Sequence, residues 1–183
     1  MSAIVLALLL PAASAAQQVD EITSRGLGGV HFCDPLRRVN DLFPTARDTV
    51  MTGEGGTRWH SKVVSLSNAE WIIFESSWVD TTHVWRVTTT GSKYHTPGGV
   101  RMGMSLEEVL RQEQKLEFSY PEGYVVITLV PDSVSFFVDD HSAAEFWAHA
   151  HYKTDSVDAL KVMSHDARIK QLFAGGSCKY RLP

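Results

Sequence analysis

Apolar positions recur along this chain at two spacings, and the clearest change from one to the other falls at residues 98–116 (GGVRMGMSLEEVLRQEQKL). Val100 and Met102 alternate as on a strand, whereas Leu106, Val109 and Leu110 fall at i, i+3 and i+4, with Glu107, Glu108 and Arg111 opposite them, as on a half-buried helix. Ser105 stands three residues before Glu108, the spacing at which a hydroxyl and a carboxylate satisfy each other's orphan backbone donors at a helix start. The pattern predicts a strand, a glycine turn at Gly103 and a short helix. Residues 28–39 (GGVHFCDPLRRV) repeat it seventy positions earlier, with five of twelve residues identical, and such self-similarity predicts a duplicated unit. In that first copy Asp34 and Pro35 read as an N-cap and the first helical residue. Leu36, Val39 and Phe43 form the face to be buried, and Pro44 ends the helix.

Between the copies the spacing shifts to that of extended chain. Residues 17–24 read as a polar lead-in, 27–32 as a first short strand and the glycine-rich 52–57 as a connector. Runs 59–66, 71–78 and 82–89 are rich in Val, Ile, Trp and Thr and are separated by only a few residues, which predicts antiparallel hairpins. In the middle run Ile72, Phe74 and Trp78 share one face, opposite Trp71, Ile73 and Glu75. After the second helix a meander is predicted: a strand from Phe118, another over 124–130, turns at Pro121–Gly123 and Pro131–Ser133, and a third over 134–138. Residues 70–73 and 123–126 match in kind within the proposed repeat. Segments 143–150 and 157–163 read ambiguously as helix or strand, and 169–173 as a last strand. The fold class expected is α+β, two tandem related units over 17–97 and 98–183, each a short strand and helix followed by an antiparallel meander, the second with a C-terminal extension.

Composition and charge narrow the setting. Residues 1–16 (MSAIVLALLLPAASAA) have the apolar core and small-residue cleavage site of a secretory signal peptide, though only the terminal amine supplies positive charge, and Gln17 is the expected mature N-terminus. No later run approaches the ~20 apolar residues of a membrane helix, and Cys33 lies too far from the cleavage site for lipid attachment. A periplasmic or secreted soluble product follows as the expectation. The net charge is −4 and no basic cluster is present, which argues against a nucleic-acid partner. Cys33 and Cys178 allow one disulfide in an oxidising compartment. The competing reading makes Cys33, beside a helix start, a buried or reactive thiol.

The stretch 99–109, together with 164–169 (SHDARI), resembles small exported bacterial proteins of unknown function. Duplicated, the unit also resembles the secreted β-lactamase-inhibitor protein and the small outer-membrane-assembly lipoproteins. That resemblance implies protein–protein contact through an open sheet face and carries over no catalytic residue.

Candidate chemistry is sparse. Ser77, Asp80 and His83 lie close in sequence, yet no Gly-x-Ser-x-Gly elbow accompanies them, and the paired glycines lead to no Gly-Lys-Ser/Thr phosphate loop. No catalytic residue and no cofactor are expected. His141, His149 and His151, near Asp139 and Asp140, form the metal-binding alternative, although no recognised zinc spacing is present. The aromatics are more telling, because four of the five tryptophans fall within residues 59–85. Trp71, Trp78, His83 and Trp85 are therefore the candidate contact residues of a non-enzymatic protein-binding module. A small-ligand- or metal-binding periplasmic protein and a structural envelope component are the other readings.

Overall fold

The computed structural model describes residues 20–112, 115–119, 125–138, 163 and 166–178. Their regular structure is mainly antiparallel β-sheet. Three two-residue strands, β1 (Ile22–Thr23), β2 (Gly26–Leu27) and β3 (Val30–His31), make a small sheet in that order. The main sheet contains β4 (Arg47–Thr52), β5 (Arg58–Ser65), β6 (Trp71–Glu75), β7 (Arg86–Thr89), β8 (Leu116–Ser119), β9 (Val126–Leu129), β10 (Val134–Val138) and β11 (Ile169–Gly175). Its strand order is β4-β5-β6-β7-β11-β10-β9-β8. Two short helices, α1 (Arg38–Leu42) and α2 (Leu106–Leu110), are present among the described residues. The expected α+β class is thus met only in outline, because β-structure predominates.

The core lies on one face of the main sheet. Cross-strand register puts Val64, Ile72, Phe74, Val87, Leu172, Ala174, Phe136, Val134, Ile127 and Leu129 on that face, and all are buried. Ile22, Leu27 and Val30 of the small sheet join the same cluster, as do Leu36, Val39, Leu106 and Val109. Full burial of an aliphatic or aromatic side chain of this size contributes about 1.5–3 kcal/mol relative to exposure, so this face, rather than helix propensity, holds two five-residue helices in place.

β7 and β11 join two four-stranded meanders at the middle of the sheet. The approach to each helix bonds to the chain leading into one of these strands. Cys33 N–H donates to Val84 C=O, Val84 N–H to Asp34 C=O, and Leu36 N–H to Thr82 C=O. On the other side Gly103 N–H donates to Ile169 C=O, Ile169 N–H to Met104 C=O, and Leu106 N–H to Ala167 C=O. Thr82 and Val84 thus occupy the places of Ala167 and Ile169, and further along the strands Val87 and Thr89 answer to Leu172 and Ala174. These four pair crosswise, Val87 with Ala174 and Thr89 with Leu172, about the central pair Thr88–Phe173.

Several expectations change at this level. The run 27–32 is two strands, because Gly28 and Gly29 turn the chain with φ of 61° and 84°. β4 stands where no strand was expected and takes in Thr52. Asp34 is not the cap of α1: the N-cap is Arg37, without a side-chain cap bond, while Asp34 Oδ2 accepts the His31 N–H at 2.9 Å. Ser105 caps α2 as expected, its hydroxyl accepting Glu108 N–H at 3.2 Å while Glu108 Oε2 accepts Ser105 N–H at 2.7 Å. The match of 70–73 with 123–126 is not kept, since Val126 belongs to β9, second strand of its meander, and Trp71 opens β6, the third. Register instead sets the buried pair Phe74–Val87 against Phe136–Leu172. Segment 143–150 lies outside the described residues, as does 157–163 except for the buried Met163.

Candidate binding cleft

β6 ends at Glu75 because Ser76 leaves the regular ladder and binds His60 three times. Its N–H and hydroxyl donate to the His60 carbonyl, and its hydroxyl accepts the His60 N–H. The chain then runs to a tip closed by Ser77 and Asp80, with Ser77 N–H donating to Asp80 C=O and Ser77 Oγ accepting Asp80 N–H at 2.9 Å. The Asp80 carboxylate holds the return path, accepting Thr82 N–H at 2.8 Å and Thr82 O–H at 2.6 Å through Oδ1 and meeting His83 Nδ1 at 2.7 Å through Oδ2. Partial burial by itself would raise the Asp80 pKa. The hydrogen bonds from Thr82, with that of His83, outweigh it and hold the carboxyl below its ordinary range.

Trp78 and Val79 occupy the tip, 69% and 60% exposed, and Trp85 on the return is 37% exposed. Beneath them lies a fixed polar floor on the sheet face opposite the core. Glu75 is buried and takes Arg86 Nε on Oε2 at 2.6 Å, with Arg86 Nη2 at 2.9 Å and Trp59 Nε1 at 3.0 Å both on Oε1. Such a bidentate pair, with a third donor on the carboxylate, offsets the desolvation of the buried charge. The Arg86 guanidinium also lies 5.7 Å from the centre of the Trp85 ring. Trp59 packs so close to Gly53 that a Cβ there would come within 2.8 Å of its ring.

Trp59, Ser76, Ser77, Trp78, Val79, Trp85 and Arg86 line a cleft of about 340 Å³. In that lining the Ser76 hydroxyl bonds to the backbone of His60, that of Ser77 to the backbone of Asp80, and Trp59 Nε1 with Arg86 Nε and Nη2 to Glu75. The cleft thus presents indole faces and an aliphatic side chain, a surface suited to an apolar group.

Of the four expected contact residues, Trp78 and Trp85 meet in the cleft. His83 is bound to Asp80 outside the lining, and Trp71 is half-buried at the far end of β6, its N–H donating to Thr90 Oγ1 at 3.0 Å. Trp78 does not share a strand face with Ile72 and Phe74, since the strand ends three residues before it. Trp59, Val79 and Arg86 were not selected from sequence; the tryptophan-rich composition was the available signal for Trp59, while the Glu75 contact that places it arises from strand register. Ser77 makes no hydrogen bond to His83 among the described contacts, so the three residues do not form a nucleophile–base–orienter relay.

No family model matches this chain, and no curated protein matches it. A solved structure does. The crystal structure of the uncharacterized protein YfeY from Escherichia coli superposes with a TM-score of 0.56 at 11% sequence identity, covering 85% of this chain and 99% of that one. The likeness is one of fold.

Cys33 and Cys178 form a disulfide, their α-carbons 5.6 Å apart. Among the described residues no three His, Cys, Asp or Glu side chains gather as a metal site, and no helix is long and apolar enough to cross a membrane. His141, His149 and His151 lie outside the described residues.

Proposed function

We propose that this chain is an exported, soluble, non-enzymatic protein that binds a partner protein through the cleft of the 76–85 loop, taking up an apolar side chain of that partner. The carrying observation is the Trp78–Val79 tip, exposed to water yet held by the Asp80 hydrogen bonds above a cleft whose serine hydroxyls and Arg86 Nε and Nη2 bond internally. Preordered aromatic surface reduces the ordering cost of association, and tryptophan is enriched among residues that dominate interface energy. Trp59, Glu75 and Arg86 share the sheet face opposite the core, in keeping with the contact surface implied by the resemblance to the β-lactamase-inhibitor protein. The disulfide supports export, because such bonds persist in oxidising compartments. Cleavage after Ala16 belongs to the same reading.

The chain is further read as two related units, 17–97 and 98–183. The matching hydrogen bonds of the helix approaches and the crosswise register of β7 and β11 support this.

A photo-crosslinking residue in place of Val79, in the native host, is expected to yield one discrete protein adduct that a crosslinker in place of the exposed Thr45 does not. Absence of a Val79-specific adduct would count against a protein partner. The cleft volume also favours a second reading, a small apolar ligand, since ligand sites begin at about 300 Å³. Native mass spectrometry of the purified protein would then find a bound small molecule that a Trp78→Ala variant lacks. Stoichiometric metal in the same sample would favour the histidine reading.

A further inference from the structure

We propose that the Cys33–Cys178 disulfide is a redox-controlled clamp on the aromatic cleft, so that a dithiol reductant weakens binding there; this rests on the cleft reading above. Cys33 is exposed and has a φ of 70°, a left-handed conformation that Gly103 adopts at the matching point of the second half with φ 79°. A side chain is therefore kept where glycine is the relaxed choice. What Cys33 contributes is the bond to Cys178.

That bond bears on the cleft by a short path. The chain leading into Trp85 is held from one side by the 33–36 segment, through Cys33 N–H to Val84 C=O at 2.8 Å and Leu36 N–H to Thr82 C=O at 2.7 Å. From the other side the tail beyond β11 holds Trp85 itself, Gly176 N–H donating to its carbonyl at 2.9 Å. Gly176 lies so close to Phe32 that a Cβ would come within 2.5 Å of that ring. Cys178 Sγ is 3.9 Å from the Val84 carbonyl oxygen. The disulfide thus fastens the tail to the 33–36 segment, with Val84 touched by both and Trp85 held by the tail.

Cys33 is the more exposed member of the pair. A thiolate of the dithiol attacks its sulfur, forming a mixed disulfide and releasing the Cys178 thiolate, which takes a proton. The second thiol of the reductant then displaces the Cys33 thiolate, which is protonated in turn. Two electrons and two protons pass to the protein, and the dithiol leaves as its own disulfide. Released, the tail no longer fixes Trp85. By linkage, an occupied cleft should also resist reduction.

The test compares oxidised protein, dithiothreitol-reduced protein and a Cys33→Gly variant, which lacks the bond but adopts the backbone conformation of Gly103. Circular dichroism establishes that each is folded. Amide exchange at residues 82–86 and 176 is read by NMR, and cleft binding by titration with 1-anilinonaphthalene-8-sulfonate. The expected result is faster exchange at those amides and about tenfold weaker dye binding in both forms lacking the bond, a coupling of ordinary size. Unchanged exchange and equal dye affinity would overturn the clamp. If Trp78→Ala leaves dye binding to the oxidised protein intact, the cleft reading fails instead, and the exchange comparison still decides whether the disulfide clamps the loop.

Discussion

The approaches to α1 and α2 follow the same backbone path and are held by different chemistry. Gly29 and Gly99 have φ of 84° and 81°, Cys33 and Gly103 of 70° and 79°, and the hydrogen bonds onward to β7 and β11 correspond one for one. Around α2 the turn and the cap are local: a glycine where φ is positive, then a serine and a glutamate that cap each other. α1 has neither the glycine nor the cap, and a disulfide to a residue 145 positions away ties its approach to the tail. The comparison teaches that the path belongs to the fold, whereas the chemistry along it differs by half. The half with the covalent tie also carries the tryptophan cleft.

If the two approaches are equivalent in packing, their buried leucines should be worth similar amounts. Leu36 and Leu106 are 7% and 0% exposed at matching positions. Replacing either by alanine is expected to destabilise the protein by about 2–5 kcal/mol, through lost transfer energy and the cavity left behind. Chemical denaturation of the two variants measures this. A loss below about 0.5 kcal/mol at one site, a value ordinary for surface positions, would break the equivalence.

A smaller effect separates the two positive-φ sites. Left-handed backbone costs a non-glycine residue about 1–2 kcal/mol, so Gly103→Ala should be destabilising by that amount. Sterics add nothing there, because a Cβ on Gly103 would meet no atom within 4 Å. Cys33→Ser and Cys33→Gly both lose the disulfide, and the glycine variant should be the more stable of the two by about 1 kcal/mol. Equal unfolding free energies for Cys33→Ser and Cys33→Gly would show that residue 33 changes conformation once released from Cys178.

What sequence could reveal of this fold depended on how local each cause was. The Ser105 cap was legible because its partners lie three residues apart. β10 was legible as a run of strand-forming residues, Val134 to Val138, directly after the turn at Pro131–Ser133. β4 was not, because it is an edge strand with mostly exposed side chains, and Val50 and Met51 lie side by side instead of alternating. Two-residue strands such as β1–β3 carry no periodicity to detect. Asp34 followed by Pro35 had the spelling of a cap, but the turn at Cys33 directs its carboxylate back to His31. Trp78 and Trp85 were legible as unusual apolar residues. Their meeting with Trp59 depends on the Ser61–Glu75 and Glu75–Arg86 pairings, which no local signal encodes.

The smallest effect expected is a pH dependence at the start of α2. Hydrogen bonds from the backbone and hydroxyl of Ser105 hold the Glu108 carboxyl below the ordinary glutamate range, with Arg168 and Arg111 adding smaller attraction. A carboxyl whose folded pKa is depressed binds protons more readily in the unfolded chain. Its contribution is therefore fully present above the ordinary value of about 4.3 and is lost as pH falls through the lower folded value. Acid should thus loosen the start of α2, whereas α1, which has no side-chain cap bond, has no such capping carboxylate to protonate. Amide exchange at Glu108, whose N–H is bound by Ser105 Oγ, should lose protection as pH falls below about 4.3, after correction for intrinsic rates. Glu108→Gln should flatten that response, and Ser105→Ala should abolish it at a cost of about 0.5–2 kcal/mol at neutral pH. A Glu108 amide equally protected across that range would mean that the serine hydroxyl holds the helix start unaided, and the two approaches would then differ in their glycine and their disulfide alone.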